Sequence, residues 1–280
     1  MTIIKIFIDS SKLSEISQAY DYGLLDGVTT NPSLIRAAVD EEKIKGGSID
    51  IEDYIKKILL IARGVSVSLE VIGTDSERMI DEGRRIYKLF NPIAENVYVK
   101  IPVNPSIEEK SSKNFDGLKA IKTLSGEGIP INCTLIFTPE QALMAAKAGA
   151  SFVSPFAGRI DDLIRSKNNI EFKKTDYFPA NGEEKEGDVL EDNGIISGID
   201  LVAQIREIFD NYGISETKVL AASIRNARQT REAALAGADI ATLPMNVIEE
   251  LLIHPKTIEG MKGFIKDIVP EYRDLLNREQ

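Results

Sequence analysis

Short apolar runs rich in β-branched residues alternate along this chain with longer stretches whose apolar positions fall at helical spacing. Eight runs read as strands: Ile3–Ile8, Gly27–Thr30, Val65–Val71, Val97–Val103, Pro130–Phe137, Ser151–Ser154, Lys218–Ala222 and Asp239–Leu243. Between them Lys12–Tyr22, Ile51–Ala62, Asp75–Phe90, Gly117–Ser125, Pro139–Ala148, Ile199–Tyr212 and Asn226–Ala236 read as helices. Strand followed by helix, repeated eight times in 280 residues, implies parallel strands joined by helical crossovers. A repeat of about 35 residues suits closure into a single-domain (β/α)8 TIM barrel of the α/β class. A doubly wound open sheet is the competing architecture, but the first strand-to-helix turn, Asp9-Ser10-Ser11-Lys12, lacks the glycine fingerprint of a dinucleotide fold.

One stretch interrupts the alternation. From about 162 to 197 the chain is polar, with Asn168-Asn169, Pro179, Asn181-Gly182 and the acidic run Glu183–Asp188. It comes after the sixth strand, so on a barrel it begins at the face where barrel enzymes keep their sites, and it reads as a surface loop or a lid. A helical tail is expected from about 248 and offers an interface for a homo-oligomer.

Side chains alternate across a strand, so parity separates the barrel interior from the helix-facing side. In Val65–Val71 the odd positions are aliphatic and Ser66, Ser68 and Glu70 share the other face. In Val97–Val103 the same division puts Lys100 on the face of Tyr98 and Pro102. Asn132 and Thr134 oppose Ile131, Cys133 and Leu135, and Ser154 shares a face with Phe152. Four neighbouring strands therefore turn Glu70, Lys100, Asn132 with Thr134, and Ser154 inward near their C-terminal ends.

Lysine is rarely held inside a protein without a partner, and one kept from water becomes a nucleophile toward carbonyls. Glu70 on the preceding strand is the candidate partner; a lysine snorkelling to water is the plainer reading. Asp9 ends the first strand as a second carboxylate or as a helix cap, and Asn31 in Thr29-Thr30-Asn31-Pro32 either lines the site or sets the turn. Arg159 and Arg225 lie just past the sixth and seventh strands, where barrels bind phosphate, or else form surface salt bridges.

Composition narrows the chemistry. With 34 Lys and Arg against 44 Asp and Glu, the net charge of −10 argues against a nucleic-acid or anionic-membrane partner. One cysteine, Cys133, and one histidine, His254, leave no internal disulfide and no multi-His or multi-Cys metal site. Cys133 has core parity, and His254 before Pro255 reads as a turn residue. The N-terminal segment meets Asp9 early and shows no leader pattern, while the longest apolar clusters, such as Ile58–Ala62, fall far short of the ~18 residues of a membrane span. A cytoplasmic protein is expected.

The blocks Phe7-Ile8-Asp9-Ser10, Gly27–Leu34 with its Thr-Thr-Asn-Pro-Ser-Leu core, Ser68-Leu69-Glu70-Val71, Val99-Lys100-Ile101-Pro102, Asn132–Phe137, Ser154–Arg159 and Ala222–Asn226 resemble, in this order, those of the transaldolase family. The resemblance runs from about residue 5 to 245, while Val39–Ser48 and Asn104–Asp116 do not align with it. It implies a lysine Schiff-base reaction in the pentose phosphate pathway that needs no metal and no cofactor. A dihydroxyacetone unit would pass from a ketose phosphate, sedoheptulose 7-phosphate or fructose 6-phosphate, to glyceraldehyde 3-phosphate or erythrose 4-phosphate. Lys100 would be the nucleophile and Asp9 the base that takes the hydroxyl proton; Glu70, with a water held by Thr134, would relay protons. Asn31, Asn132, Ser154 and Phe156 would line the sugar pocket, and Arg159, Arg225 and Ser223 would hold the phosphate. Two alternatives remain: a fructose-6-phosphate aldolase that releases free dihydroxyacetone, and a barrel that binds a sugar phosphate without turnover. The aldolase branch typically carries Gln at the position of Glu70 and Tyr at that of Phe156, so the residues here resemble the transferring branch.

Overall fold

Every one of the eight apolar runs holds a parallel strand in the structure, a computed structural model that describes residues 3–44, 46, 49–109 and 111–277. The barrel strands are β1 (Lys5–Asp9), β2 (Gly27–Thr29), β3 (Ser66–Glu70), β4 (Val97–Pro102), β5 (Ile131–Ile136), β6 (Phe152–Pro155), β9 (Lys218–Ala221) and β10 (Ile240–Leu243), with β7 (Glu184–Lys185) and β8 (Asp188–Val189) forming a separate hairpin. Each barrel strand pairs with its sequence neighbours and β10 closes on β1. This is a (β/α)8 barrel and not the open sheet.

The helices are α1 (Leu13–Asp21), α2 (Pro32–Ile44), α3 (Ile51–Ile61), α4 (Ser76–Ala94), α5 (Asp116–Gly126), α6 (Pro139–Lys147), α7 (Ala157–Lys167), α8 (Gly198–Asn211), α9 (Ala227–Leu235), α10 (Met245–Glu250), α11 (Pro255–Lys266) and α12 (Pro270–Leu276). The core lies between strands and helices, where the outward parity of the strands supplies the fully buried Val67, Val99, Ile101, Ile131, Cys133 and Val153. Burying each large aliphatic side chain there contributes about 1.5–3 kcal/mol. Burial also pushes the Cys133 thiol pKa upward, as fits a core residue. The entry to α6 is a capping box: Thr138 Oγ1 accepts from the Gln141 N–H while Gln141 Oε1 accepts from that of Thr138.

Four features depart from the pattern. Helix α2 shows no apolar stripe in the sequence because only Ala38 on it is buried; Pro32 starts it, and Asn31 Oδ1 accepts from the Leu34 N–H at 3.0 Å. Part of the non-aligning segment Val39–Ser48, namely Lys45, Gly47 and Ser48, lies outside the described residues. The polar stretch expected from near 162 begins later, since α7 continues through Lys167 on the buried residues Ile160, Ile164 and Arg165. The segment after α7 is anchored by buried Phe178, Leu190 and Ile195, and it reverses at Glu186 and Gly187 (φ 56° and 93°), the left-handed pair of a tight hairpin turn. The tail expected from about 248 also starts elsewhere: Ile248 is buried within α10, and the exposed helices begin at α11, which His254 Nδ1 caps by accepting from the Lys256 N–H.

Candidate active site

The pairing of β3, β4 and β5 aligns Glu70 with Lys100 and Lys100 with Asn132, although Asn132 lies near the start of β5 and not at its C-terminal end. Lys100 is only 4% exposed; its Nζ lies 3.3 Å from Glu70 Oε2 and donates to the Thr30 carbonyl at 3.0 Å. A charge so placed depends on its partner, because an isolated buried ion is costly. Asp9, at the end of β1, accepts from Thr29 Oγ1 at 2.7 Å, and that hydroxyl also meets Thr242 Oγ1 at 2.5 Å. Burial raises the Asp9 pKa above the ordinary carboxylate value against the opposing pull of Lys100, Thr29 and Arg159. Burial likewise raises that of Glu70, opposed chiefly by Lys100. Both carboxylates are therefore better proton acceptors than their solvated counterparts.

Asn132 is fully buried and fixed from both sides: its amide donates to Ser68 Oγ at 3.0 Å and its Oδ1 accepts from Ser154 Oγ at 2.7 Å. Thr134 Oγ1 is buried and finds no partner among the described residues. A cavity of about 160 Å3 opens above this layer, lined by Asp9, Asn31, Lys100, Ser154, Phe156, Arg159, Ser223 and Arg225, together with Thr29, Thr242 and Lys174. Glu70, Asn132 and Thr134 are not among its lining residues; Lys100 and Ser154 connect the first two to it.

The two arginines of the cavity are held differently. Arg225 Nη2 donates to Asp162 Oδ2 at 3.0 Å, whereas Arg159 stacks over the Phe156 ring at 5.1 Å and has no ion pair among the described residues. Gly158 makes room for the former: a Cβ there would stand 2.5 Å from Arg225 Nε and 2.3 Å from the Ser223 carbonyl oxygen. Ser223 itself has φ 60°, a left-handed conformation uncommon outside glycine and found at sites whose surroundings impose it.

Of the residues singled out in the sequence, Asp9, Asn31, Lys100, Ser154, Phe156, Arg159, Ser223 and Arg225 meet at one cavity, and Glu70 and Asn132 each contact one of them. The sequence reading put Ser68 on the inward face with Glu70 without giving it a role, and missed Thr29, Thr242 and Asp162, which orient the carboxylate and the guanidinium, and Lys174 from the polar insert. Thr29 was discoverable, since it shares parity with Asn31; Asp162 and Lys174 carried no periodic signal. Among the described residues no group of three His, Cys, Asp or Glu side chains could hold a metal ion.

A parallel barrel that buries a lysine against a carboxylate, beneath a cavity lined by arginines, presents a nucleophile beside groups that suit an anion. The family model described as transaldolase/fructose-6-phosphate aldolase matches residues 6–277. Probable transaldolases of Nitrosopumilus maritimus (41% identical; 94% of this chain and 94% of the relative), Hydrogenobaculum sp. (44%; 94% and 96%) and Thermoplasma volcanium (40%; 94% and 95%) are similar over nearly their whole length. The chain belongs to the transaldolase/fructose-6-phosphate aldolase family and is an enzyme of that type.

Proposed function

We propose that the chain is a transaldolase acting through a Schiff base on Lys100. The observation that carries this reading is the contact of the Lys100 amine with Glu70 at the base of a cavity that Lys100 lines together with Asp9. The amine passes its proton to a carboxylate and attacks the ketose C2 carbonyl. Glu70, with a water held by the otherwise unpartnered Thr134 hydroxyl, returns protons so that the carbinolamine leaves water and becomes an iminium. Asp9 removes the C4 hydroxyl proton, the C3–C4 bond breaks, and its electron pair flows into the iminium while the aldose leaves. The bound three-carbon enamine attacks the acceptor aldehyde, Asp9 gives back the proton, and hydrolysis frees Lys100.

Asn31, Asn132 and Ser154 fix the hydroxyls of the donor, Phe156 closes one wall, and Arg159, Arg225 and Ser223 hold the phosphate. Glu70 and Phe156, in place of the Gln and Tyr typical of the aldolase branch, favour transfer over release. Fructose 6-phosphate offered with and without erythrose 4-phosphate tests this: free dihydroxyacetone should stay below the sedoheptulose 7-phosphate formed. Steady dihydroxyacetone release that ignores the acceptor would identify an aldolase instead.

The same reading places the enzyme in the cytoplasmic pentose phosphate pathway; no described helix is long and apolar enough to cross a membrane. It also includes a homo-oligomer. Helices α11 and α12 bury none of their residues, and Phe264 (73% exposed) and Leu276 (67%) leave them with an apolar surface that a second copy of this chain would cover. A solution mass equal to the 30.9 kDa monomer would contradict the oligomer.

A further inference from the structure

We propose that Lys174, carried by the polar insert after α7, is a third phosphate-binding cation that selects phosphorylated over unphosphorylated sugars. The inference rests on the substrate class proposed above and adds a residue to it. Lys174 lines the same cavity as Lys100, Arg159 and Arg225, although it comes from a segment outside the strand–helix repeat.

Its place there is built. On one flank Arg165, itself buried, donates to the Asp176 and Tyr177 carbonyls at 3.4 and 2.6 Å and packs on the rings of Phe172 and Phe178. On the other, the Tyr177 hydroxyl donates to Glu232 Oε1 at 2.8 Å, and Arg228 lies 3.8 Å over the Tyr177 ring. The Lys173 N–H closes the turn by donating to Asp176 Oδ2 at 2.7 Å. The turn bearing Lys174 is therefore stapled to α7, which carries Arg159, and to α9, which begins just after Arg225.

The charge balance shows what the cavity lacks. Among its lining residues four cations face a single carboxylate, in a chain whose net charge is −10. Lys100 is compensated by Glu70 and Arg225 by Asp162. Neither Arg159 nor Lys174 has an ion pair or a side-chain hydrogen bond among the described residues, whereas Lys167 in the same region pairs with Asp192 and Lys185 donates to the Asn168 carbonyl. With Asp9 counted as well, the cations exceed the carboxylates by one, and Arg159 and Lys174 are left without a direct partner to meet a phosphate monoester, whose charge is close to −2 at neutral pH. A neutral sugar would leave both unused, so the gain falls on phosphorylated substrates.

The test titrates inorganic phosphate into the resting enzyme by calorimetry. It also measures the ratio of kcat/KM for fructose 6-phosphate to that for fructose, both with D-erythrose as acceptor and sedoheptulose as the product read. Lys174→Ala should weaken phosphate about tenfold and lower the ratio by a similar factor, the worth of one charge-assisted hydrogen bond. Lys174→Arg should recover most of both, and Tyr177→Phe, which loosens one staple, should cost about two- to threefold. Unchanged phosphate affinity, or an equal fall for both sugars, would overturn the proposal. Phosphate binding is read without turnover, so it decides the role of Lys174 even if the proposed transfer reaction fails its own test.

Discussion

At the N-terminal end of the barrel a cavity of about 850 Å3 is floored by Phe7, Tyr98 and Phe152; at the C-terminal end the cavity is about 160 Å3 and holds Asp9, Lys100, Arg159 and Arg225. The same strands build both. Along β4, Tyr98 faces the lower opening and Lys100 the upper, and along β6 Phe152 and Ser154 divide in the same way. At the lower end the inward rings pack on one another, Tyr98 on Phe152 with centroids 4.6 Å apart and Phe7 edge-on at 6.0 Å. Of the charges on that rim, Lys5, Asp26, Glu95, Glu216 and Lys218 are exposed, and Asp239 is half-buried in an ion pair with Arg206. At the upper end Lys100 is buried and paired with Glu70. Volume therefore does not mark the site; desolvated charge does.

The comparison is tested most severely by Lys100→Met, which keeps side-chain length and removes the amine. Turnover should fall on the order of 10⁴-fold or more while the fold persists, as steady-state rates and circular dichroism would show. Asp9→Asn should cost about 10²–10⁴-fold by removing a general base. The pH profile sharpens this. Burial raises the Asp9 and Glu70 pKa values, and Asp9 accepts its proton only when ionised. The acid limb of wild-type kcat/KM should thus lie above the ordinary carboxylate range, activity falling as pH drops through it. A limb at the solvated aspartate value would contradict the burial argument.

Asp161 gives a smaller effect, on stability. It accepts from the Gly198 N–H and the Gln229 amide, both at 2.7 Å, and burial lifts its pKa from 3.8 to about 7. Between those values the native state keeps a proton that the unfolded chain has lost, so stability falls as pH rises through the window and the loss is complete above about 7. From pH 5 to 8 this group should cost about 2–3 kcal/mol, a slope that Asp161→Asn abolishes in urea melts. The smallest effect belongs to the lower end: Tyr98→Phe combined with Lys218→Ala should leave kcat/KM within about twofold. A tenfold loss would restore the larger cavity as a functional site.

The barrel was legible because its strands need one apolar face toward the helices, so the other face of β3, β4 and β5 announced Glu70, Lys100 and Asn132 by parity alone. Arg159 and Arg225 could be placed from their distance past a strand end. Helix α2 escaped because it buries a single alanine and offers no stripe. The insert escaped because what orders it is one buried arginine, Arg165, among rings and carbonyls, an arrangement without a period. The same applies to Asp162 and Lys174, whose meaning depends on contacts across the fold.

The central claim is that Lys100 forms the covalent bond to the substrate. Borohydride reduction of the enzyme turning over fructose 6-phosphate, followed by peptide mass mapping, tests it directly. A three-carbon adduct is expected on the peptide containing Lys100, discharged when erythrose 4-phosphate is added before reduction. Turnover that persists with no adduct, or with the adduct on another lysine, would contradict it.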